Sequence, residues 1–271
     1  MICDNCSHNC DIPEGGTGAC HARSNNGEKI VCDSYGAITS LALDPIEKKP
    51  LSKFHPGSFI LSAGSFGCNM TCPWCQNDSI SRGRVEADSL TPEELVKIAL
   101  DTGKRGNIGI AYTYNEPSVG YEFVYDTARL AKKSGLVNVC VSNGMLSRGR
   151  FDELSEYIDA YNIDLKTGYA DKYKKIGGDL ELIEDNITSA VKKGRHMELT
   201  TLVVPRFNDS EDDITRIIGY IEELDPKIPL HITRFFPAGN MRGELPTDLD
   251  VLYRFREIAS KKLENVYLGN V

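Results

Sequence analysis

Six times along the chain a short, almost uninterrupted apolar run is followed by a longer stretch in which apolar residues return every three or four positions. Short apolar runs suit strands covered on both faces, and the longer spacing marks amphipathic helices. The strand-like runs lie at 58–63, 108–112, 138–141, 161–165, 197–203 and 230–235. The first helix is announced by Thr91 as N-cap and Pro92 at the first helical position, with Leu95, Ile98 and Ala99 recurring on one face. Further helices are expected near 121–133 and 151–157, between 171 and 193, and at 212–224 and 248–263. Six alternations of this kind predict an α/β fold, with a parallel sheet carrying helices on its outer face. A closed eight-stranded barrel would need two more units than the pattern supplies, and 266–268 would add an edge strand. Residues 35–56 read as strand pieces and a linker, because the Asp44-Pro45 and Lys49-Pro50 steps favour extended backbone.

Composition narrows the class. The chain has 271 residues, 41% hydrophobic and 26% charged, with a formal net charge of -8. That balance argues against an extended basic surface for nucleic acid. No apolar run approaches the ~20 residues needed to span a bilayer. The start, Met1-Ile2-Cys3-Asp4, has no basic apolar leader, so a cytoplasmic protein without a membrane partner is expected. Of nine cysteines, Cys32 and Cys140 stand apart and read as small apolar residues. The rest fall in two groups at metal-ligand spacing, which favours reduced, metal-binding thiolates over disulfides.

The first group, Cys3, Cys6, Cys10 and Cys20, lies in residues 1–40 around a Gly15-Gly16-Thr17-Gly18 turn. Four soft ligands about a glycine-rich loop fit a second metal site, either zinc or an auxiliary iron-sulfur cluster. Too few apolar residues lie here to fold unaided, so bound metal would supply stability. The second group, Cys68, Cys72 and Cys75, is spaced C-x3-C-x2-C, with Gly67 before it and Trp74 just ahead of the last cysteine. No fourth cysteine follows until Cys140. Three thiolates on a four-iron cluster leave one iron with an open position, where a ligand can bind and react.

This spacing resembles that of the radical S-adenosylmethionine (SAM) enzymes. The cysteine-rich start, the DPIEKKPL-x-x-F-x-PGS run from Asp44 and the GCN-x-x-C-x-x-CQN core from Gly67 resemble the radical enzyme of the AmmeMemoRadiSam system. The barrel is also similar to the pyruvate formate-lyase activating enzymes. The resemblance implies an open, partial (β/α)6 radical SAM barrel over residues 41–271, which the six-unit count suits, and a 4Fe-4S cluster on Cys68, Cys72 and Cys75, the catalytic centre. It implies SAM chelated to the open iron and cleaved by one electron to a 5'-deoxyadenosyl radical, with a flavodoxin or ferredoxin as donor. Cofactor-binding residues follow from position. Glu116, in Tyr112-Thr113-Tyr114-Asn115-Glu116-Pro117, would accept the methionyl ammonium, although Tyr114 and Asn115 stand where the family has two glycines. Ser142 and Asn143 resemble the TNG-like turn that meets the methionine or ribose. Asp164 and Lys166 share a strand face and either form a salt bridge or grip the cofactor's carboxylate and hydroxyls. Leu202 supplies backbone beside the adenine, Trp74 packs against it, and Asn77 closes the CQN core. His231 and Arg234 are candidates for the substrate side, beside the plainer roles of helix packing and a surface ion pair. In relatives a further cysteine pair is expected beyond Gly269-Asn270-Val271.

The expected function is therefore a radical SAM enzyme that abstracts hydrogen from an unidentified substrate, which a protein could supply. One alternative is a glycyl-radical-enzyme activase of the pyruvate formate-lyase activating type. Another is a metal-binding scaffold without catalysis.

Overall fold

The computed structural model describes residues 1–271. In chain order the first strands are β1 (Arg23–Asn25), β2 (Ile30–Cys32), β3 (Ala37–Ile38), β4 (Ser40–Pro45) and β5 (Phe59–Gly64). The cysteine loop follows, then the short helix α1 (Asp78–Ser81), β6 (Asp88–Ser89) and α2 (Pro92–Asp101). Strands and helices then alternate: β7 (Asn107–Tyr112), α3 (Tyr121–Lys133), β8 (Val137–Ser142), α4 (Arg148–Ser155), β9 (Ala160–Asp164), α5 (Ala170–Lys175) and α6 (Leu180–Lys192). The last are β10 (His196–Val203), α7 (Glu211–Leu224), β11 (Leu230–Arg234), α8 (Leu249–Ala259) and β12 (Val266–Gly269). No helix is long and apolar enough to cross a membrane.

The large sheet has eight strands in the order β12-β11-β10-β9-β8-β7-β5-β4. It is an open partial barrel whose two edges are β12 and β4. Neighbours are parallel except β4, which pairs antiparallel with β5. The sheet thus holds the six expected strands and the edge strand expected at 266–268, and adds one more at the opposite edge. β12 extends the parallel run, and β4 comes from the segment read as strand pieces and linker. Local signals served α2 well: Thr91 accepts the Glu94 N–H while the Glu94 carboxylate accepts the Thr91 N–H, a complete capping box.

Alternation sorts the two faces of the sheet. Leu61, Ile110, Cys140, Tyr161, Ile163, Leu165, Leu199 and Ile232 face outward and join the main core with the helices. Ile60, Ala111, Val139 and Ala160 face inward and pack with Ile46, Leu51 and Phe54. The connector between β4 and β5 is therefore an apolar plug in the barrel's interior. Polar anchors fix it. Glu198 on β10 is fully buried and accepts the backbone N–H groups of Ser52 (2.9 Å) and Lys53 (2.7 Å). The same carboxylate takes the Nε2 atoms of His196 (2.9 Å) and His231 (2.6 Å), and Asn162 Nδ2 donates to Pro50 O. Burial pushes the Glu198 carboxyl up, but the two imidazoles and two backbone donors hold it down to about 2. His231 thus has a partner inside the barrel, and its ring stacks on Tyr267 at 5.2 Å. Arg234 Nε donates to Thr247 O, a structural contact rather than a surface ion pair.

Candidate functional site

In parallel α/β sheets ligands lie at the carboxyl ends of the strands. The cysteine loop leaves β5 at that end. Gly67 has φ +91°, and a Cβ there would meet Cys20 O at 2.6 Å, so glycine is required by both conformation and space. Cys68, Cys72 and Cys75 line one cavity of about 780 Å³. Trp74, Asn77, Glu116, Ser142, Asn143, Asp164, Lys166 and Leu202 line the same cavity. Four strand ends far apart in sequence, those of β7, β8, β9 and β10, thus converge on the three thiols of the β5 loop. Two donors approach one of the sulfurs: Met70 N–H stands 3.4 Å and Asn143 Nδ2 3.8 Å from Cys68 Sγ. Burial pushes the Cys72 thiol up, while the nearby Lys166 cation pulls it down.

Glu116 is only 4% exposed, and no lysine, arginine or histidine pairs with it. Its carboxylate is held by three donors: Ser118 N–H (2.9 Å) and Ser142 Oγ (2.7 Å) on Oε1, and Asn143 N–H (2.8 Å) on Oε2. Burial raises its pKa, and these hydrogen bonds oppose the rise. Ser142 Oγ and the Asn143 N–H are therefore spent on Glu116. The Asn143 side chain bonds Asn69 Oδ1 (2.8 Å) and the Met145 N–H (3.0 Å). Asp164 and Lys166 form an ion pair at 2.8 Å on the cavity wall, and Leu165 between them enters the core. Asp164 pairs with Thr200 in register, which brings the pair beside Leu202 on the next strand. Trp74 is 6% exposed and packs on Phe207 with ring centroids 4.5 Å apart. Asn77 Nδ2 donates to Tyr114 O at 2.7 Å, tying the cysteine loop to the Tyr114 turn.

That turn explains the departure from two glycines. Tyr114 adopts φ +73°, a region glycine enters freely and tyrosine does not. Its hydroxyl donates to Asp44 (2.8 Å), and Lys49 Nζ lies 4.7 Å from its ring centroid while pairing with Asp44 at 2.9 Å. The strained backbone is thereby fixed from the β4 side. Gly64 gives the turn room, since a Cβ there would stand 2.8 Å from Tyr114 Cδ2 and 2.9 Å from its Cβ. Gly64→Ala is expected to cost about 1–3 kcal/mol by overpacking. A shift of the urea midpoint at constant slope measures it; no shift would mean the turn yields freely.

Lys49, Thr200, Thr233 and Tyr267 also line the cavity and were not singled out from sequence. Strand alternation from Leu202 points to Thr200, but nothing local marks Lys49, which arrives through the plug. Cys140 is buried in the core, whereas Cys32 is half-buried beside Ser34. Cys3, Cys6, Cys10 and Cys20 do not line the large cavity, and of the four Cys20 touches the cysteine loop, its carbonyl accepting the Cys68 N–H at 3.1 Å. No three His, Cys, Asp or Glu side chains converge on a single-ion position anywhere in the chain. A four-iron cluster is larger than one ion, and three thiols lining a roomy cavity, with two donors near the Cys68 sulfur, fit it.

Comparisons with known proteins agree with this geometry. Residues 64–218 match the family described as the Radical SAM superfamily. The uncharacterized protein MJ0808 of Methanocaldococcus jannaschii is 40% identical over 276 residues, covering 99% of this chain and 81% of that protein. The 4-hydroxyphenylacetate decarboxylase activating enzyme of Clostridioides difficile strain 630 is 24% identical over 269 residues, covering 95% of this chain and 77% of that one. The chain spans about half the length of the GTP 3',8-cyclases it also matches. Among solved structures, a domain of pyruvate-formate lyase-activating enzyme from Bacteroides vulgatus ATCC 8482 shares the fold. It has TM-score 0.51 and 19% identity, covering 60% of this chain and 99% of that one. By matched domain and by fold, the chain belongs to the radical SAM superfamily, a membership that implies a 4Fe-4S cluster and SAM.

Proposed function

We propose that this chain is an enzyme that holds a 4Fe-4S cluster on Cys68, Cys72 and Cys75, binds SAM beside it, and abstracts hydrogen from a substrate in the same cavity. The observation that carries this reading is Glu116, a buried carboxylate with three hydrogen-bond donors and no cation partner, on the wall of the cavity the three thiols line. A buried charge without a counter-ion is costly, and an ammonium group is the partner it lacks. When bound, the cofactors supply one-electron cleavage of SAM to methionine and a 5'-deoxyadenosyl radical.

The protein's part is positioning and exclusion of water. Ser142 and the Asn143 N–H fix Glu116 toward the cofactor's ammonium. Lys166, steadied by Asp164, offers a cation to its carboxylate, and Leu202 with Trp74 frames the adenine. The plug formed by Ile46, Leu51 and Phe54 closes the barrel interior behind the substrate. A flavodoxin or ferredoxin is the electron donor in this reading.

The substrate is a molecule that reaches the cavity wall of Lys49, His231 and Tyr267. A second reading, activation of a glycyl radical enzyme, is favoured by similarity to the 4-hydroxyphenylacetate decarboxylase activating enzyme. The test is anaerobic reconstitution with iron and sulfide, followed by dithionite and SAM. We expect 5'-deoxyadenosine to accumulate in protein carrying about four irons on the three cysteines. A fully loaded cluster that yields none would leave the scaffold reading in its place.

A further inference from the structure

Trp74, Lys166 and Leu202 come from three separate parts of the chain, yet one short turn touches all of them. β10 ends at Val203 and α7 begins at Glu211. Between them the chain folds back on Val204, whose carbonyl accepts the N–H groups of Phe207 at 3.1 Å and Asn208 at 3.3 Å. Phe207 is the ring on which Trp74 packs. The turn is moored in its own right, because Lys172 Nζ donates both to Phe207 O and to the fully buried carboxylate of Asp213.

Asn208 is 2% exposed and does not line the large cavity. Its Nδ2 donates to Lys166 O at 2.7 Å and to Leu202 O at 2.8 Å, and its Oδ1 accepts the Val204 N–H at 2.6 Å. A primary amide has two N–H donors, so both are committed to main-chain carbonyls on adjoining strand ends. Lys166 is held from its other side as well, since its N–H donates to the buried Tyr173 hydroxyl at 2.7 Å. Both main-chain polar groups of Lys166 are thereby pinned by side chains. Glu116, by contrast, depends on a separate set of donors from Ser118, Ser142 and Asn143.

We propose that Asn208 is a positioning residue for SAM, clamping the Lys166 and Leu202 carbonyls so that both residues meet the cofactor at a fixed spacing. This rests on the proposed reading in which Lys166 and Leu202 bind SAM. Asn208 touches neither cofactor nor substrate, and its effect passes through the two residues it clamps. A site held in its binding geometry beforehand loses less freedom when the ligand arrives, so releasing the clamp appears as lost affinity. Asn208→Asp releases it with little change of shape: Oδ1 stays for the Val204 N–H, but an oxygen replaces the donor facing two carbonyl oxygens.

The test is a double-mutant cycle on the full chain carrying its cluster, with SAM titrated against the reduced cluster's paramagnetic signal and iron counted on each sample. Asn208→Asp is expected to weaken SAM about tenfold with iron retained. Added to Lys166→Met, the same change should cost only about twofold more, because residues acting as a unit are not additive. Added to Ser142→Ala it should again cost about tenfold, because Ser142 serves Glu116. An unchanged affinity in Asn208→Asp, or a full tenfold loss in both backgrounds, overturns the proposal; the latter would mark a general structural role. Amide hydrogen exchange without SAM reads the clamp directly. Asn208→Ala should speed exchange at Val204 and Lys166, and unchanged protection at both overturns the clamp. A wild-type protein with a full cluster and no SAM response would count against the proposed cofactor binding, while the exchange result still decides the clamp.

Discussion

Glu116→Ala is expected to weaken SAM binding by about two orders of magnitude while the iron on Cys68, Cys72 and Cys75 is retained. Removing one partner of a buried, hydrogen-bonded charge pair costs about 2–5 kcal/mol, and roughly 1.4 kcal/mol is tenfold in affinity. The effect should be large because Glu116 is nearly inaccessible and has no protein cation to fall back on. Titrating SAM against the reduced cluster's paramagnetic signal, with iron counted on the same sample, separates ligand binding from cluster loss. A variant with full iron and an unchanged SAM response would remove Glu116 from the ammonium role. Ser142→Ala should show a weaker form of the same defect, since its hydroxyl acts through Glu116 Oε1.

Glu198→Ala should destabilise the fold by about 3–5 kcal/mol, the usual consequence of stripping one member from a buried charged network. It would leave two backbone N–H groups and two imidazoles without their acceptor and release the plug that closes the barrel. The wild-type protein carries a matching pH signature. Glu198 is held at about 2 in the folded state, below its ordinary value near 4.5. Its contribution is therefore complete above about pH 4.5 and is lost as pH falls toward 2, amounting to roughly 3 kcal/mol at 1.36 kcal/mol per unit. Urea denaturation across this window should show a steeper loss for wild type than for Glu198→Gln, which cannot ionise. Parallel pH profiles for the two proteins would show that Glu198 does not anchor the plug through its charge.

Neither residue was equally legible in the sequence. Glu116 was marked by a motif at a strand end, but the groups that hold it were not. Ser142 and Asn143 looked like groups offered to a ligand, and the fold spends the Ser142 hydroxyl and the Asn143 N–H on Glu116. Glu198 gave no signal, because a glutamate on an apolar strand is unremarkable until the plug supplies its donors from 145 and 146 residues away. Lys49 was hidden for the same reason, sitting in a segment whose prolines announced only extended backbone.

The sequence alone determined what depends on near neighbours. The thiol spacing, the capping box at Thr91, the alternation that puts Asp164 and Lys166 on one face, and the run of strand-helix units are all local periodicities. Their geometry follows from 2.0 and 3.6 residues per turn whatever the rest of the chain does. Only the tertiary structure decided which distant groups satisfy one another: the plug on Glu198, Tyr114 braced by Asp44 and Lys49, and Cys20 and His8 of the N-terminal segment set against Cys68 and Asn69. Those contacts are chosen by the need to pair every buried polar group once the sheet has curled, a condition no stretch of sequence states by itself.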